Sequence, residues 1–169
     1  PLSIANSNDS IIVWATYVTP PHTCQQPQQH TALGELMKKL RVITTGLHFP
    51  EGPIAMPDGS VILVEIARGT LTRVLSDGRT EIITKTGGGP NGAAIGPDGA
   101  CYICNNGGFE WEQDSLSGRI RPIRQANDYN TGRIERVDLA TGNVERLYDR
   151  CGNHKLNGPN DLVFDQKGN

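Results

Sequence analysis

Three residues that can bind a cation stand at equivalent places of an internal repeat. Glu51, Asn91 and Asn160 each follow a proline, and a turn-forming glycine lies nine residues after each proline, at Gly59, Gly99 and Gly168. One carboxylate and two carboxamides offer only oxygen donors, which Ca²⁺ prefers, whereas Zn²⁺ and copper favour His or Cys. The pattern indicates an oxygen-lined cation site, provided that the fold brings the three residues together.

The repeat itself predicts short antiparallel strands. Segments 50–59, 90–99 and 159–168 align without gaps, and each ends on an Asp-Gly or Lys-Gly turn, which suits the tight connection of a hairpin. In the first unit the pattern continues with strands at 61–64, 71–75 and 80–84. A four-stranded unit that recurs about every 40 to 50 residues is typical of a β-propeller blade.

The spacing of the units sets the predicted architecture. The repeat prolines are separated by 40 and then by 69 residues, and the extra length falls at 106–132, which we expect to be a long loop inside the second blade. The sequence therefore predicts an all-β fold of four-stranded antiparallel blades, of which about two and a third are present. Propellers close with about four to eight blades, so we expect an N-terminal fragment that is poorly stable alone.

The first 41 residues differ from the rest. Residues 19–30 are rich in Pro and Gln and predict a disordered leader, and the spacing of Leu33, Leu36, Met37 and Leu40 predicts a short helix at 31–40. A strand-like stretch follows at 41–45. We therefore divide the chain into a leader with a short helix at 1–41 and an incomplete propeller domain at 42–169.

Composition excludes several classes of protein. The net charge of −2 gives no basic surface for nucleic acid, and no apolar run is long enough to span a membrane. No secretory signal is visible, which favours a cytoplasmic location, although the chain begins with Pro1 rather than Met. Cys101 and Cys104 lie in a strand pattern that points them to opposite faces, so we expect buried free thiols rather than a metal or redox pair.

The repeated Pro-Glu and Pro-Asn pairs have a simpler explanation as turn residues, since Asn and Gly are common in turns. Glu51 favours the cation site over this explanation. A carboxylate among low-dielectric channel walls requires a cation or hydrogen bonds to offset its desolvation.

Three motifs resemble one known family. His48-Phe49-Pro50-Glu51-Gly52-Pro53 is followed by Gly-Pro-Asn-Gly at 89–92 and by Leu-Asn-Gly-Pro-Asn-Asp-Leu at 156–162. In this order they are similar to the signature segments of the senescence-marker-protein, gluconolactonase and luciferin-regenerating-enzyme family of six-bladed propellers. The resemblance covers residues from about 42 to the end.

The resemblance implies a site and an activity. Glu51 and Asn160 match metal ligands, and Asn91 matches a channel asparagine that contacts substrate or sits near the metal. Asn105 and Asn106, at the predicted channel mouth, are candidate substrate contacts, with a solvated turn as the alternative. The catalytic Asp is expected beyond Asn169, so the fragment alone is expected to be inactive.

The implied reaction is hydrolysis of a sugar lactone at Ca²⁺ or another divalent cation, with a small-molecule lactone as the partner. Hydrolysis of organophosphates or aryl esters on the same fold would use the same channel ligands. A non-catalytic propeller scaffold is the third alternative, and the polar residues at the three channel positions argue against it.

Overall fold

The computed structural model describes the backbone of residues 13–14 and all of residues 41–169. Its strands, in chain order, are β1 (Val13–Trp14), β2 (Arg41–Val42), β3 (Pro50–Ala55), β4 (Val61–Glu65), β5 (Thr70–Val74), β6 (Thr80–Lys85), β7 (Pro90–Ile95), β8 (Cys101–Asn105), β9 (Phe109–Gln113), β10 (Ile120–Gln125), β11 (Arg133–Val137), β12 (Val144–Tyr148), β13 (Arg150–Cys151) and β14 (His154–Lys155). Nothing in this described part is a helix long and apolar enough to cross a membrane. The helix predicted at 31–40 lies outside the described residues.

The first repeat folds into the four-stranded unit that the sequence predicts. Strands β3, β4, β5 and β6 pair antiparallel in chain order. The turn between β3 and β4 closes where the N–H of Gly59 donates to the carbonyl of Met56, and Gly59 adopts a φ of 81° that favours glycine. The predicted strand positions are correct to within a residue or two.

The second sheet has the same order with an insertion. Strands β7, β8, β11 and β12 pair antiparallel, so β9 and β10 interrupt the chain between the second and third strands of this sheet. These two strands form a separate hairpin, with Phe109 opposite Gln125 and Gln113 opposite Ile120. The long loop predicted at 106–132 does lie between the second and third strands of this sheet, but it contains this hairpin.

The two four-stranded sheets share one core. Ile62, Val64 and Leu71 of the first sheet pack with Cys101, Ile103 and Val137 of the second. The alternate residues of β4 face the other side, where Val61 and Leu63 pack with Leu47 and Val74. Strand β4 is buried on both faces, which explains why its sequence is a continuous apolar run rather than an alternating one.

Two segments differ from the sequence expectation. The pair Val13–Trp14 forms strand β1 against β2, within the leader assigned to residues 1–41, and the strand predicted at 41–45 is confined to Arg41–Val42. The third repeat keeps its turn, since the N–H of Gly168 donates to the carbonyl of Asp165, but it has no strand.

The cysteines of the described residues should differ sharply in reactivity. Cys101 and Cys104 are free and buried, as predicted, whereas Cys151 is exposed. Burial raises the pKa of the Cys101 thiol to about 12, and burial with the nearby charge of Asp161 raises that of Cys104 to about 11. In a Cys24→Ser background we expect an aromatic disulfide reagent at pH 8 to label one thiol quickly. The other two should react about 100-fold more slowly or less until the protein is denatured. Rapid native labelling of two or three thiols would contradict this burial.

Candidate metal and substrate site

The three repeat segments lie side by side near their first residues. A Cβ atom on Gly52 would stand 2.7 Å from the backbone nitrogen of Ala93, so β3 and β7 approach each other at backbone distance. A Cβ atom on Gly92 would stand 2.5 Å from the Cα atom of Asp161, so β7 approaches the third repeat in the same way. Glycine permits both close approaches because it has no side chain.

Two of the predicted site residues contact each other directly. The Nδ2 group of Asn91 donates a hydrogen bond of 2.7 Å to Oδ1 of Asn160, although the two residues are 69 positions apart in the chain. This bond fixes which way both carboxamides point, and it leaves Oδ1 of Asn91 and one lone pair of Asn160 Oδ1 available. The pair can therefore still present two oxygen donors to a ligand.

Glu51 is partly buried and lies near a second carboxylate, that of Asp161. Partial burial is the main cause that raises the pKa of its carboxyl group; a hydrogen bond from the Gly52 backbone lowers it, and the nearby charge of Asp161 raises it further. Neither Glu51 nor Asp161 has an ion pair among the residues that the structure describes. Two interacting carboxylates without a cationic partner form a place where a bound cation would relieve repulsion.

Asp161 is the residue that sequence reasoning missed. It follows Asn160 in the third repeat, where the first two repeats have Gly52 and Gly92. Its Oδ1 accepts a hydrogen bond of 2.8 Å from the N–H of Leu162. A carboxylate in place of a repeated glycine was the available signal.

Asn105 makes all of its possible hydrogen bonds inside the protein. Its partners are the N–H groups of Gly89 and Gly107, the carbonyl of Gly87 and the carboxylate of Glu135, at 2.8 to 3.0 Å. The side chain is completely buried at the end of β8. Both amide hydrogens and both oxygen lone pairs are occupied, so Asn105 has no free group for a substrate.

Asn106 differs from its neighbour. Its Oδ1 accepts a hydrogen bond of 2.9 Å from the N–H of Gly108, which fixes the orientation of the amide. Its Nδ2 is buried and lacks a partner, and it is the one such side-chain atom in the described part of the chain. An unsatisfied buried donor costs about 1–3 kcal/mol and needs an explanation such as a ligand or a bound water.

Residues 49–169 match the protein family described as SMP-30/Gluconolactonase/LRE-like region. The chain belongs to this family. The match confirms the resemblance of the three motifs, and it covers both four-stranded sheets of the SMP-30/gluconolactonase fold together with the β9–β10 hairpin.

A solved structure of a gluconolactonase from Xanthomonas campestris has the same fold as this family member. The likeness covers 72% of this chain with a TM-score of 0.52 and 19% sequence identity. It covers 33% of the Xanthomonas campestris chain, so this chain spans about a third of that protein's length. A comparison with curated proteins finds no match.

The oxygen donors of this SMP-30/gluconolactonase family member suit a hard cation. Within residues 41–169, no three His, Cys, Asp or Glu side chains come together. The predicted ligands are not of that kind, because two of the three are carboxamides. The donors present are the carboxylates of Glu51 and Asp161 and the amide oxygens of Asn91 and Asn160, which are groups that Ca²⁺ binds in proteins.

An open groove lies beside the segment that leads into β3. It has a volume of about 980 Å³, and residues 46–49 form one side while residues from 112–121 form the other. Phe49 stands at its edge with a φ of 59°, a left-handed conformation that is rare for an aromatic residue. The ring of Phe49 lies 5.0 Å from that of Trp111, which in turn contacts Phe109 at 6.0 Å. These ring contacts attach the hairpin to the segment that leads into Glu51.

Proposed function

We propose that this chain is the N-terminal part of a six-bladed propeller hydrolase that opens a sugar lactone at a divalent cation, Ca²⁺ by preference. The observation that carries the proposal is the pair of neighbouring carboxylates, Glu51 and Asp161, together with the hydrogen-bonded carboxamides of Asn91 and Asn160, at the starts of successive repeats. In this proposal Glu51 and Asn160 hold the cation. Asp161 adds negative charge close to it.

Each other residue has a role that follows from its contacts. Asn91 orients Asn160 through the 2.7 Å hydrogen bond and offers its own oxygen to the substrate side. Asn106 lies beside Gly89, the residue before β7, and its unsatisfied amide donor is kept as a candidate contact for a substrate oxygen. Asn105, also predicted as a substrate contact, is not retained in that role because its hydrogen bonds are complete.

The chemistry divides between the cation and the chain. A divalent cation at this site supplies Lewis acidity, which polarises a carbonyl and stabilises the negative charge that develops on its oxygen. The side chains hold and orient the reactants, and the groove beside Phe49 admits the part of the substrate away from the reacting carbonyl. The carboxylate that activates water is not assigned to any residue of this chain.

The same groups would also serve hydrolysis of an aryl ester or an organophosphate. We propose to assay the complete gene product with δ-gluconolactone, phenyl acetate and a phosphotriester, each with Ca²⁺ and with excess chelator. Chelator-sensitive hydrolysis of the lactone at the highest kcat/KM supports the proposal. If the ester or the phosphotriester is hydrolysed faster, the site is assigned to that activity instead. If none of the three substrates shows chelator-sensitive hydrolysis, a binding scaffold is favoured.

Trp111 should influence substrate binding more than the chemical step. Replacing it in Trp111→Ala removes the ring contacts that hold the hairpin against Phe49, and such aromatic contacts contribute about 0.5–1.5 kcal/mol each. We expect steady-state kinetics to give a KM for the lactone that is higher by about tenfold, with kcat changed less than about twofold. Trp111→Phe, which keeps an aromatic ring, should stay near wild type. A fall in kcat at constant KM would show that the hairpin acts on the reaction itself.

A further inference from the structure

The last residue of the second strand has the same place in both sheets. Glu65 ends β4 opposite Pro50, and Asn105 ends β8 opposite Pro90. Both side chains are completely buried, although one is a carboxylate and the other a carboxamide. Each therefore lies directly beside the proline that introduces a proposed site residue.

Glu65 holds the segment that leads into Glu51. Its Oε2 accepts a hydrogen bond of 2.7 Å from the backbone N–H of His48. The carbonyls of His48 and Phe49 accept hydrogen bonds from the backbone N–H groups of Ala67 and Ile66, at 3.2 and 3.0 Å. These three bonds hold both sides of the left-handed Phe49, a conformation that persists only where the surrounding structure enforces it.

The rest of the Glu65 carboxylate is held from the same blade. Its Oε1 accepts hydrogen bonds from Arg68 at 2.9 Å, from Thr72 at 2.7 Å and from Thr70 at 3.4 Å. A buried carboxylate is costly unless it is paired and hydrogen-bonded in this way. These hydrogen bonds hold the carboxylate in the orientation in which it accepts from the His48 amide.

Asn105 makes the equivalent connection in the second sheet, between the end of β8 and the segment before Pro90. Its Oδ1 accepts a hydrogen bond of 2.9 Å from the N–H of Gly89, the residue before Pro90. Its Nδ2 donates at 2.9 Å to Glu135, which forms an ion pair with Arg133 at 2.5 Å. In the first sheet the buried carboxylate is Glu65 on the second strand, whereas in the second sheet it is Glu135 on the third strand. In both sheets the last residue of the second strand accepts a hydrogen bond from the backbone before the proline.

The third-strand partners are also at matching places. Thr72 lies opposite Leu63 on β4, and Glu135 lies opposite Ile103 on β8. We name the two arrangements the Glu65 clamp (Glu65 with Thr72) and the Asn105 clamp (Asn105 with Glu135). Two different residue pairs that make the same connection indicate a requirement for the connection rather than for a particular side chain.

We propose that the two clamps are positioning devices, which set where Glu51 and Asn91 stand relative to each other. This inference rests on the proposed function, because it gives the clamps a purpose at the cation site. Neither Glu65 nor Asn105 touches the cation or the substrate in this account. Each acts through the backbone of the residues before its proline.

The test compares three variants of the complete gene product by calorimetric Ca²⁺ titration, at a temperature where circular dichroism shows all of them folded. Glu65→Leu removes the clamp, Glu65→Gln keeps an acceptor oxygen, and Ile62→Ala makes a cavity on the same strand away from the clamp. We expect Ca²⁺ to bind about 10- to 100-fold more weakly to Glu65→Leu, by analogy with outer-shell residues of metal sites. Glu65→Gln should lie between Glu65→Leu and wild type, and Ile62→Ala should bind like wild type despite a lower Tm.

Hydrogen exchange separates this inference from the proposed function. In Glu65→Leu we expect faster amide exchange in peptides covering 46–51, and in Asn105→Leu in peptides covering 87–91, with little change elsewhere. If wild type binds no Ca²⁺, the proposed function fails while this local exchange still supports the clamps. If Glu65→Leu and Ile62→Ala show the same Ca²⁺ affinity and the same general increase in exchange, the clamps only stabilise the fold and the inference is wrong.

Discussion

Glu51→Gln should weaken Ca²⁺ binding by at least about 100-fold and reduce lactone hydrolysis to a similar degree. The substitution keeps the shape of the side chain and removes the charge that, with Asp161, attracts the cation. Loss of a charged ligand costs more than the 10- to 100-fold effect of an outer-shell residue. Calorimetric titration and a lactone assay on the complete gene product measure both effects. Glu81→Gln, an exposed position on β6, is the matched control and should change neither.

Without metal, Glu51→Gln should be more stable than wild type. Burial raises the pKa of Glu51 above 4.5, so the folded state disfavours its ionised form. The stability of the metal-free wild type therefore falls as pH rises from about 4.5 through the raised pKa, and Glu51→Gln lacks this loss. We expect a higher Tm for metal-free Glu51→Gln at pH 7. A lower Tm would mean that the carboxylate is already compensated by the protein.

Gly92→Ala should push the backbone of the third repeat away from strand β7. The added Cβ would stand 2.5 Å from the Cα atom of Asp161 and 2.6 Å from the carbonyl oxygen of Asn160, both backbone atoms that cannot turn aside. We expect a loss of about 1–3 kcal/mol in the free energy of unfolding, which is typical of overpacking. We also expect weaker Ca²⁺ binding, because the displaced backbone carries Asn160. Chemical denaturation and Ca²⁺ titration measure the two effects.

Gly99→Ala provides the control for Gly92→Ala. Gly99 lies in the turn between β7 and β8 with a φ of 78°, and an added Cβ would meet nothing within 4 Å. This variant incurs the cost of a left-handed alanine, about 1–2 kcal/mol, without moving the third repeat. It should therefore lose comparable stability and keep its Ca²⁺ affinity. Equal losses of affinity in both variants would mean that the close approach of Gly92 to the third repeat does not set the site.

The repeated turns made most of the fold predictable. Strands β3 to β8 follow from glycine turns with apolar runs between them, and these local signals agree with the final pairing. The β9–β10 hairpin was missed because its strands have no buried face to give a period of two. Strand β10 exposes most of its length, and its pairing with β9 is irregular between Pro122 and Arg124. A hairpin that packs mainly through one aromatic cluster leaves little trace in hydrophobic periodicity.

The site was predictable only in part, for a related reason. Glu51, Asn91 and Asn160 occupy equivalent positions at the starts of the three aligned repeats, which the sequence shows directly. The hydrogen bond between Asn91 and Asn160 and the charge of Asp161 near Glu51 depend on how closely the strands approach. Asn105 was assigned to the substrate because it ends a strand, but its role depends on Glu135, which is 30 residues away. Such contacts between distant residues have no local pattern.

We propose that Glu51 and Asn160 bind one divalent cation. The direct test is a crystal structure of the complete gene product soaked in Mn²⁺, with the ion located by its anomalous scattering. We predict one strong peak within coordination distance of the Glu51 carboxylate and the Asn160 amide oxygen, at about 2.0–2.6 Å. A peak bound elsewhere, or no peak at a concentration that supports activity, would contradict the account.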